Sequence, residues 1–117
     1  MTAYAIAHLR PTTVNEDVLR YLEAIQETMD PYGGRFLVHG AEVEVMEGSW
    51  PGTVVIIEFP DLAAIRAWYA SAAYQSILEL RTDNIPGDVI LVDGVGRDYH
   101  PRMTAAKLRD ALLSDVR

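Results

Sequence analysis

Residues 53–59, with the sequence TVVIIEF, constrain the fold most, because four β-branched apolar residues follow one another between Thr53 and Glu58. A strand with one face in water alternates apolar and polar residues, whereas this run is apolar on both faces. Pro60 ends the strand, and Asp61 is a good N-cap for a helix that follows. The pattern predicts the central strand of a sheet that is covered on both faces.

The first strand is predicted at Ala3–Leu9, where small and large residues alternate. Successive side chains of a strand point to opposite faces, so the alanines share one face and Tyr4, Ile6 and His8 share the other. Small side chains allow a helix to lie close to a sheet. We therefore expect helices over the alanine face.

Two more strand patterns complete the set. Residues 35–39 and 42–47 predict one long strand with a bulge near Gly40, and a hairpin loop that holds Trp50 leads from it into the central strand. Trp50 is expected either to pack against a neighbouring side chain or to cover a site. Residues 88–95 predict the last strand, which is also apolar on both faces.

The helices are predicted from their caps and from apolar residues at helical spacing. Asn15, Asp61 and Ser71 each precede a helical pattern, and Thr104 is expected to cap a short C-terminal helix. That last helix is marginal alone in water, so we expect it to dock on its own domain or on a partner. Its apolar residues share one side: Ala105, Leu108, Leu112 and Val116.

The element order, β-α-β-β-α-β with a terminal helix, predicts an α+β protein with the ferredoxin-like split βαβ plan. Residues 1–96 are expected to form this domain, and residues 97–117 to form a linker and the C-terminal helix. In this plan the strands lie in the order 4-1-3-2, and the main helices cover one face of the sheet. The other face is apolar, and a second copy is its expected cover, so we predict a homodimer that forms an α+β barrel.

Composition argues against several kinds of partner. Ten basic and seventeen acidic residues give a net charge of −7, and the basic residues are not clustered, so nucleic acid and membranes are not expected. The chain has no cysteine and therefore no disulfides or thiolate chemistry. No apolar run is long enough to span a membrane, and no signal-peptide pattern is present, so we expect a cytoplasmic protein. No cofactor is predicted, because the glycines at 33–34 follow a helix instead of preceding one.

Several short motifs are found together in one order: YGGRFL at 32–37, VIIEFP at 55–60, WYAS at 68–71, YQ at 74–75 and the apolar strand at 89–95. In this combination the chain resembles the family called domain of unknown function 1330 (DUF1330), which belongs to the dimeric α+β barrel superfamily. The resemblance covers about residues 3–95 and implies the ferredoxin-like fold and the dimer, without a defined reaction.

Related barrels include cofactor-free monooxygenases, lactone isomerases and stress-associated proteins that bind heme or aromatic molecules in the cavity between sheet and helices. This chain departs from the family pattern at two points. Family members often carry arginine where His39 stands and a basic residue where this chain has PGT at 51–53. An anion-binding role of those arginines is therefore not expected here.

Three ionisable residues, His8, His39 and Glu58, are the candidate catalytic groups. Strands one and three are expected to be parallel neighbours, which would bring His8 and Glu58 to the same end of the sheet. An imidazole beside a carboxylate in a partly apolar pocket can act as an acid–base pair near neutral pH. The alternatives are that Glu58 pairs with Arg35 or Arg66 and that His8 is a satisfied interface histidine. A metal site is not predicted.

The candidate ligand-binding residues are Tyr4, Arg35, Trp68 and Tyr69, because aromatic walls favour a flat apolar cavity and a small aromatic ligand. The first functional hypothesis is a cofactor-independent isomerase, cyclase or monooxygenase that acts on a small aromatic or polyketide-like molecule. The second is a non-catalytic ligand-binding or stress-related dimer. The third is an interaction module that binds another protein through its C-terminal helix. The sequence does not decide whether the chain is an enzyme.

Overall fold

The computed structural model describes residues 1–10 and 14–115. Four strands and four α-helices confirm the predicted α+β fold with a C-terminal helix. A short 3₁₀ turn (Asp30–Tyr32) follows the first helix. The elements in chain order are β1 (Ala3–Leu9), α1 (Glu16–Met29), β2 (Arg35–His39), β3 (Thr53–Phe59), α2 (Leu62–Ala70), α3 (Ala72–Thr82), β4 (Gly87–Asp93) and α4 (Pro101–Asp115).

The four strands form one sheet in the order β2-β3-β1-β4, as predicted, and every neighbouring pair is antiparallel. The predicted parallel pairing of β1 and β3 is wrong, since Ala3 lies opposite Phe59 and Leu9 lies opposite Thr53. The chain direction explains the difference. The connection through α1 leaves β2 running in the same direction as β1, and β3 then reverses against β2, so it also runs against β1.

Helices α1, α2 and α3 cover the face of the sheet that carries the alanines of β1. Ala3 and Ala5 are buried there, which confirms the alanine face as the helix-facing one. The core cluster includes Met29, Phe59 and Ile65, which are fully buried. Burying apolar side chains of this size contributes roughly 1.5–3 kcal/mol each, so this layer supplies most of the driving force for folding.

The opposite side of the sheet, called the open face below, carries no helix from the α1–α3 layer. The strand register places the following side chains on it: Tyr4, Ile6, His8, Arg35, Val38, Val54, Ile56, Glu58, Ile90 and Val92. Most of them are half-buried, and Ile90 and Val92 on the edge strand are exposed. The apolar character of this face matches the expectation from the central strand.

Three helix caps are those that the sequence predicted. The side chains of Asn15, Asp61 and Ser71 accept hydrogen bonds from backbone N–H groups three residues further on, at 3.1, 2.7 and 3.2 Å. Each cap satisfies one N–H group that would otherwise have no partner, which is worth about 1 kcal/mol. Ser71 divides the region into α2 and α3, so the chain can turn there without losing its hydrogen bonds.

The predicted second half of the long strand, at 42–47, is wrong. Residues 41–52 form no strand, and the register shift lies between Phe36 and Val38 instead of at Gly40. Gly40 has a positive φ of 78°, a backbone conformation that turns the chain away from β3 before residue 42 can pair. The alternating pattern at 42–47 therefore has no neighbouring strand within this chain.

Helix α4 begins at Pro101, so the predicted start at Thr104 is wrong. Proline is favoured at the first position of a helix, and the imidazole Nδ1 of His100 accepts a hydrogen bond of 3.1 Å from the backbone N–H of Arg102. Every described residue of α4 is exposed. Val116, which was expected on its apolar side, lies outside the described residues. Docking of α4 on the domain or on a partner stays a prediction.

In the described part of the chain, the structure has no helix with the length and hydrophobicity needed to cross a membrane.

Candidate ligand-binding site

A cavity of about 80 Å³ lies between the sheet and the helices. The small side chains of Ala5 and Ala7 form its floor, because they leave space below α1 and α3 that larger residues would fill. Its walls are apolar and aromatic. The side chains that matter most for its chemistry are Tyr21, Phe36, His39, Trp68, Tyr69, Tyr74 and Arg81.

The aromatic wall of the cavity consists of Trp68, Tyr69 and Tyr74, which α2 and α3 hold against one another. The ring centroids of Trp68 and Tyr74 are 4.2 Å apart, and those of Tyr69 and Tyr74 are 5.4 Å apart. The indole N–H of Trp68 donates a hydrogen bond of 2.9 Å to the hydroxyl of Thr28. This bond fixes the indole plane, and it satisfies the only polar atom that the buried ring carries.

A second feature is the hydroxyl pair, formed by Tyr21 from α1 and Tyr74 from α3. Their phenol oxygens lie 2.8 Å apart in the buried layer. Burial raises the pKa of both phenols, and the nearby Arg81 guanidinium opposes that rise. Both hydroxyls therefore stay protonated at neutral pH and can donate hydrogen bonds.

Arg81 is the one described arginine that is buried, with 7% of its surface exposed. The ion pairs in the described residues are Arg10–Asp88, Arg20–Asp17 and Arg35–Glu58, so Arg81 has no carboxylate partner among them. Its guanidinium interacts with the hydroxyl pair and lines the cavity. The site thus combines an apolar aromatic wall with one buried positive charge.

Sequence analysis missed Arg81, although a signal was present. Tyr74, Ile77, Leu78 and Arg81 have the i, i+3, i+4, i+7 spacing of one helix face. A charged residue in the fourth position of an otherwise apolar stripe indicates either a side chain that reaches solvent or a buried charge with a function. The structure shows the buried case.

A larger and more open hollow of about 550 Å³ adjoins the cavity. The two share four lining residues: Tyr69, Arg81, Ile85 and Val89. Arg10 lies at this hollow and pairs with Asp88 at 3.0 Å. The shared residues place Arg81 between the cavity and the more open hollow.

Of the three candidate catalytic residues, only His39 lines the cavity. Its imidazole stacks on Phe36, with ring centroids 4.5 Å apart. His8 lies on the open face and stacks on Trp50 at 4.1 Å, and its Nε2 is buried without a hydrogen-bond partner in the described residues. Trp50 thus packs on a neighbour, which is the first of its two predicted roles.

Glu58 lies at the other end of the open face from His8. In the sheet Glu58 is opposite Tyr4 and Arg35, whereas His8 is opposite Val54. Four residues of strand separate the two rows, about 13 Å. The predicted cluster of His8, His39 and Glu58 therefore does not form within one chain, because β1 and β3 are antiparallel. Their catalytic roles stay predictions.

The candidate ligand-binding residues divide between the two faces. Trp68 and Tyr69 belong to the aromatic wall, while Tyr4 and Arg35 are on the open face beside Glu58. Arg35 and Glu58 form an ion pair of 3.4 Å, in which the arginine side chain is 70% exposed. This is the ion-pair alternative that the sequence left open for Glu58. No group of three His, Cys, Asp or Glu side chains in residues 1–10 and 14–115 is arranged to hold a metal ion.

The fold and the cavity define a ferredoxin-like α+β protein with an internal apolar site. The chain belongs to the family described as Domain of unknown function (DUF1330), whose model matches residues 2–95. This match confirms the family resemblance of the sequence motifs and leaves α4 outside the matched region. A search of proteins with curated descriptions finds no match.

Solved structures of similar fold are found as well. A protein of unknown function from Rhodopseudomonas palustris is similar with a TM-score of 0.64 and 17% identity, over 81% of this chain and 83% of that chain. A dimeric ferredoxin-like protein of unknown function from Jannaschia sp. CCS1 has a TM-score of 0.63 and 12% identity, over 80% of this chain and 100% of that chain. At these identities the similarity shows the fold alone.

Proposed function

We propose that this protein binds a small apolar molecule in the cavity between its sheet and its helices. The observation that carries the proposal is the aromatic wall beside a mostly apolar cavity, with few polar groups among its lining residues. Ligand sites are typically apolar hollows with few, well-placed polar groups. The alternative that the space is only a packing defect leaves the buried charge at its edge without a reason.

The size of the cavity restricts the ligand. An engineered apolar cavity of about 150 Å³ encloses one benzene ring. At about 80 Å³, this cavity encloses a group smaller than a ring, and the rest of a ligand extends into the adjoining hollow. A small aromatic or polyketide-like molecule therefore fits only if part of it lies in that hollow.

A cofactor-independent reaction is the enzymatic form of this proposal. It rests on His39, the one candidate catalytic residue on the cavity wall, since imidazole is the commonest general acid or base in enzymes. Roles of His8 and Glu58 require a second pocket on the open face, to which a partner would have to contribute. The non-catalytic form of the proposal, a ligand-binding or stress-related dimer in the cytoplasm, needs the cavity alone.

The homodimer is part of the proposal. The similar Jannaschia protein is dimeric, and the open face offers apolar side chains for a second copy to cover. A four-stranded sheet face covers roughly 350 Å², less than the ~800 Å² per partner of a standard interface. Helix α4, with Leu108 and Leu112 exposed, supplies further apolar surface. We propose that it docks on the partner.

Tryptophan fluorescence tests the ligand proposal. Trp50→Phe leaves Trp68 as the single tryptophan, and Trp68 is on the cavity wall. Four- to seven-carbon alcohols, amides and carboxylates should change its emission and raise the melting temperature by mass action. Ala7→Val adds two methyl groups to the cavity floor and should abolish both effects. Ala41→Val makes the same change at an exposed position and should preserve them.

Binding that survives Ala7→Val unchanged would exclude the cavity as the site. An absence of binding by the whole panel, in a protein whose stability Ala7→Val increases, would favour the packing-defect alternative.

A further inference from the structure

Arg81 differs from the other described arginines in being buried, and it has no carboxylate partner among the described residues. It lies in the last turn of α3 and is 7% exposed. The described ion pairs use other residues, and none of the five side chains outside the described ranges is acidic. Within one chain, this guanidinium is a buried cation without an anion.

Such an arrangement is costly for folding. A charged side chain taken out of water is destabilising unless an opposite charge or several hydrogen bonds compensate it. The carbonyl end of α3 attracts the cation, but a helix terminus is worth only about 0.3–1 kcal/mol. A further compensating group is therefore expected at the guanidinium when the protein is in use.

The hydroxyl pair of Tyr21 and Tyr74 adds a second donor at the same point. Two phenol groups carry two protons, and their mutual hydrogen bond of 2.8 Å uses one of them. The described residues provide no acceptor for the other. Because burial raises the pKa of both phenols, this proton remains in place at neutral pH. The Arg81 guanidinium lies within hydrogen-bonding reach of both phenol oxygens, but these are neutral acceptors, so its charge has no anionic partner among the described residues.

We infer that the cavity takes a small organic carboxylate, with its two oxygens on the Arg81 guanidinium and the hydroxyl pair and its apolar part against the aromatic wall. This inference rests on the proposed function, because it names the ligand class of the same cavity. Guanidinium groups bind carboxylates through two parallel N–H···O bonds, and these bonds are strong when water is excluded.

The position of Arg81 fits the size of the two spaces. Arg81 lines both the cavity and the adjoining hollow. When the carboxylate of a ligand is bound at Arg81, the rest of the ligand can therefore lie in either space. A short branched acid places its alkyl group in the cavity of about 80 Å³. A larger acid, such as an aromatic one, extends its ring toward the hollow.

The test compares acids with neutral amides of nearly the same shape, on the full chain carrying Trp50→Phe. Isobutyrate is compared with isobutyramide, and benzoate with benzamide, by Trp68 fluorescence and by melting temperature. The expected result is that each acid binds at least 10-fold more tightly than its amide, since only the acid pairs with the buried charge.

Three arginine variants test whether the positive charge of Arg81 binds the carboxylate. Arg81→Gln should weaken isobutyrate binding by about 30-fold or more and remove the preference for the acid, because it deletes one partner of a buried charge pair. Arg81→Lys keeps the charge without the two-pronged geometry, so an intermediate loss is expected. Arg66→Gln removes an exposed arginine on α2 and should leave both affinities unchanged.

The outcomes separate this inference from the proposed function. If amides bind as tightly as acids, or if Arg81→Gln binds isobutyrate like the parent, the carboxylate inference is overturned and the cavity remains a binding site. If neither acids nor amides bind but the alcohols of the earlier panel do, only the carboxylate inference is overturned; if nothing in either panel binds, both are overturned. The comparison of acid with amide needs no change at Arg81, so it decides the inference even if the Arg81 variants fail to fold.

Discussion

The two faces of the sheet differ in what their charged groups can do. On the open face, Arg35 and Glu58 form a pair of 3.4 Å, but the arginine is 70% exposed and water screens the interaction. On the helix-covered face, Arg81 is buried beside the hydroxyl pair. Electrostatic interactions strengthen as water is excluded, so a buried cation attracts an anion more strongly than a charge of an exposed ion pair does. This difference is the reason why we propose the ligand site on the covered face.

The largest expected effect is at the core of the covered face. Phe59→Ala removes a fully buried ring next to Trp68 and should lower the free energy of unfolding by about 3–5 kcal/mol. Val45→Ala, at an exposed position, should change it by less than about 0.5 kcal/mol. Urea denaturation measures both. A loss below about 1 kcal/mol for Phe59→Ala would mean that the core is not packed as described.

The second largest effect on stability is expected at alkaline pH, through the buried phenols of Tyr21 and Tyr74. The folded-state pKa of Tyr21 and Tyr74 is raised, so the unfolded chain loses these protons first once the pH passes about 10. Their contribution to stability is complete below that pH and falls above it, by about 1.4 kcal/mol per pH unit for each phenol. Unfolding followed from pH 8 to 11 checks this.

The control for the alkaline effect is the Tyr21→Phe, Tyr74→Phe double variant. It should show a shallower loss of stability between pH 10 and 11 than the parent, because fewer buried phenols titrate. If stability fell equally steeply with pH in the two proteins, the phenols would be solvated in the folded state, which would contradict the contrast between the two faces.

A single change in the hydroxyl pair should have a smaller effect at neutral pH. Tyr21→Phe removes one hydroxyl and leaves that of Tyr74 without its partner, which should cost about 1–2 kcal/mol. The cost of the double variant should differ from the sum of the two single variants, because both single changes remove the same shared bond. Denaturation of all four proteins measures this coupling, and strict additivity would argue against the bond.

The smallest effect is expected at the open face. Glu58→Gln removes one partner of an exposed ion pair and should change the free energy of unfolding by about 0–1 kcal/mol. Raising the salt concentration should reduce the difference between the variant and the parent. Unfolding at low and high salt measures it. A loss of several kcal/mol, independent of salt, would show that the pair is buried in an assembly.

Local patterns in the sequence were sufficient for much of the fold. The bounds of β1 and β3 and the caps at Asn15, Asp61 and Ser71 agree with the structure, because alternation and capping depend on neighbouring residues. The prediction of a strand at 42–47 was wrong because a strand needs a neighbouring strand to pair with, and Gly40 turns the chain away from β3. The predicted start of α4 was wrong because the helix is capped by His100, directly before Pro101, and not by Thr104.

The candidate site was only partly accessible from the sequence. Trp68 and Tyr69 were predicted as wall residues because they are aromatic residues of a helix expected to cover the sheet, and they line the cavity. The cluster of His8, His39 and Glu58 depended on a parallel pairing of β1 and β3. The predicted split βαβ plan already makes that pair antiparallel, and the antiparallel register separates the members of the cluster. Arg81 was missed because arginine in a helix is usually solvated, and only packing decides otherwise.

By itself, the sequence determined most of the strands and helices, which face of β1 is small, and that the central strand is apolar on both faces. These properties follow from short-range geometry and from the order of apolar and polar residues. The tertiary structure decided which charges meet and which one is buried. Antiparallel pairing and helix docking bring together residues 53 positions apart, such as Tyr21 and Tyr74, and place Arg81 beside them. Burial then gives that single arginine its importance, because the effective strength of a charge depends on its surroundings.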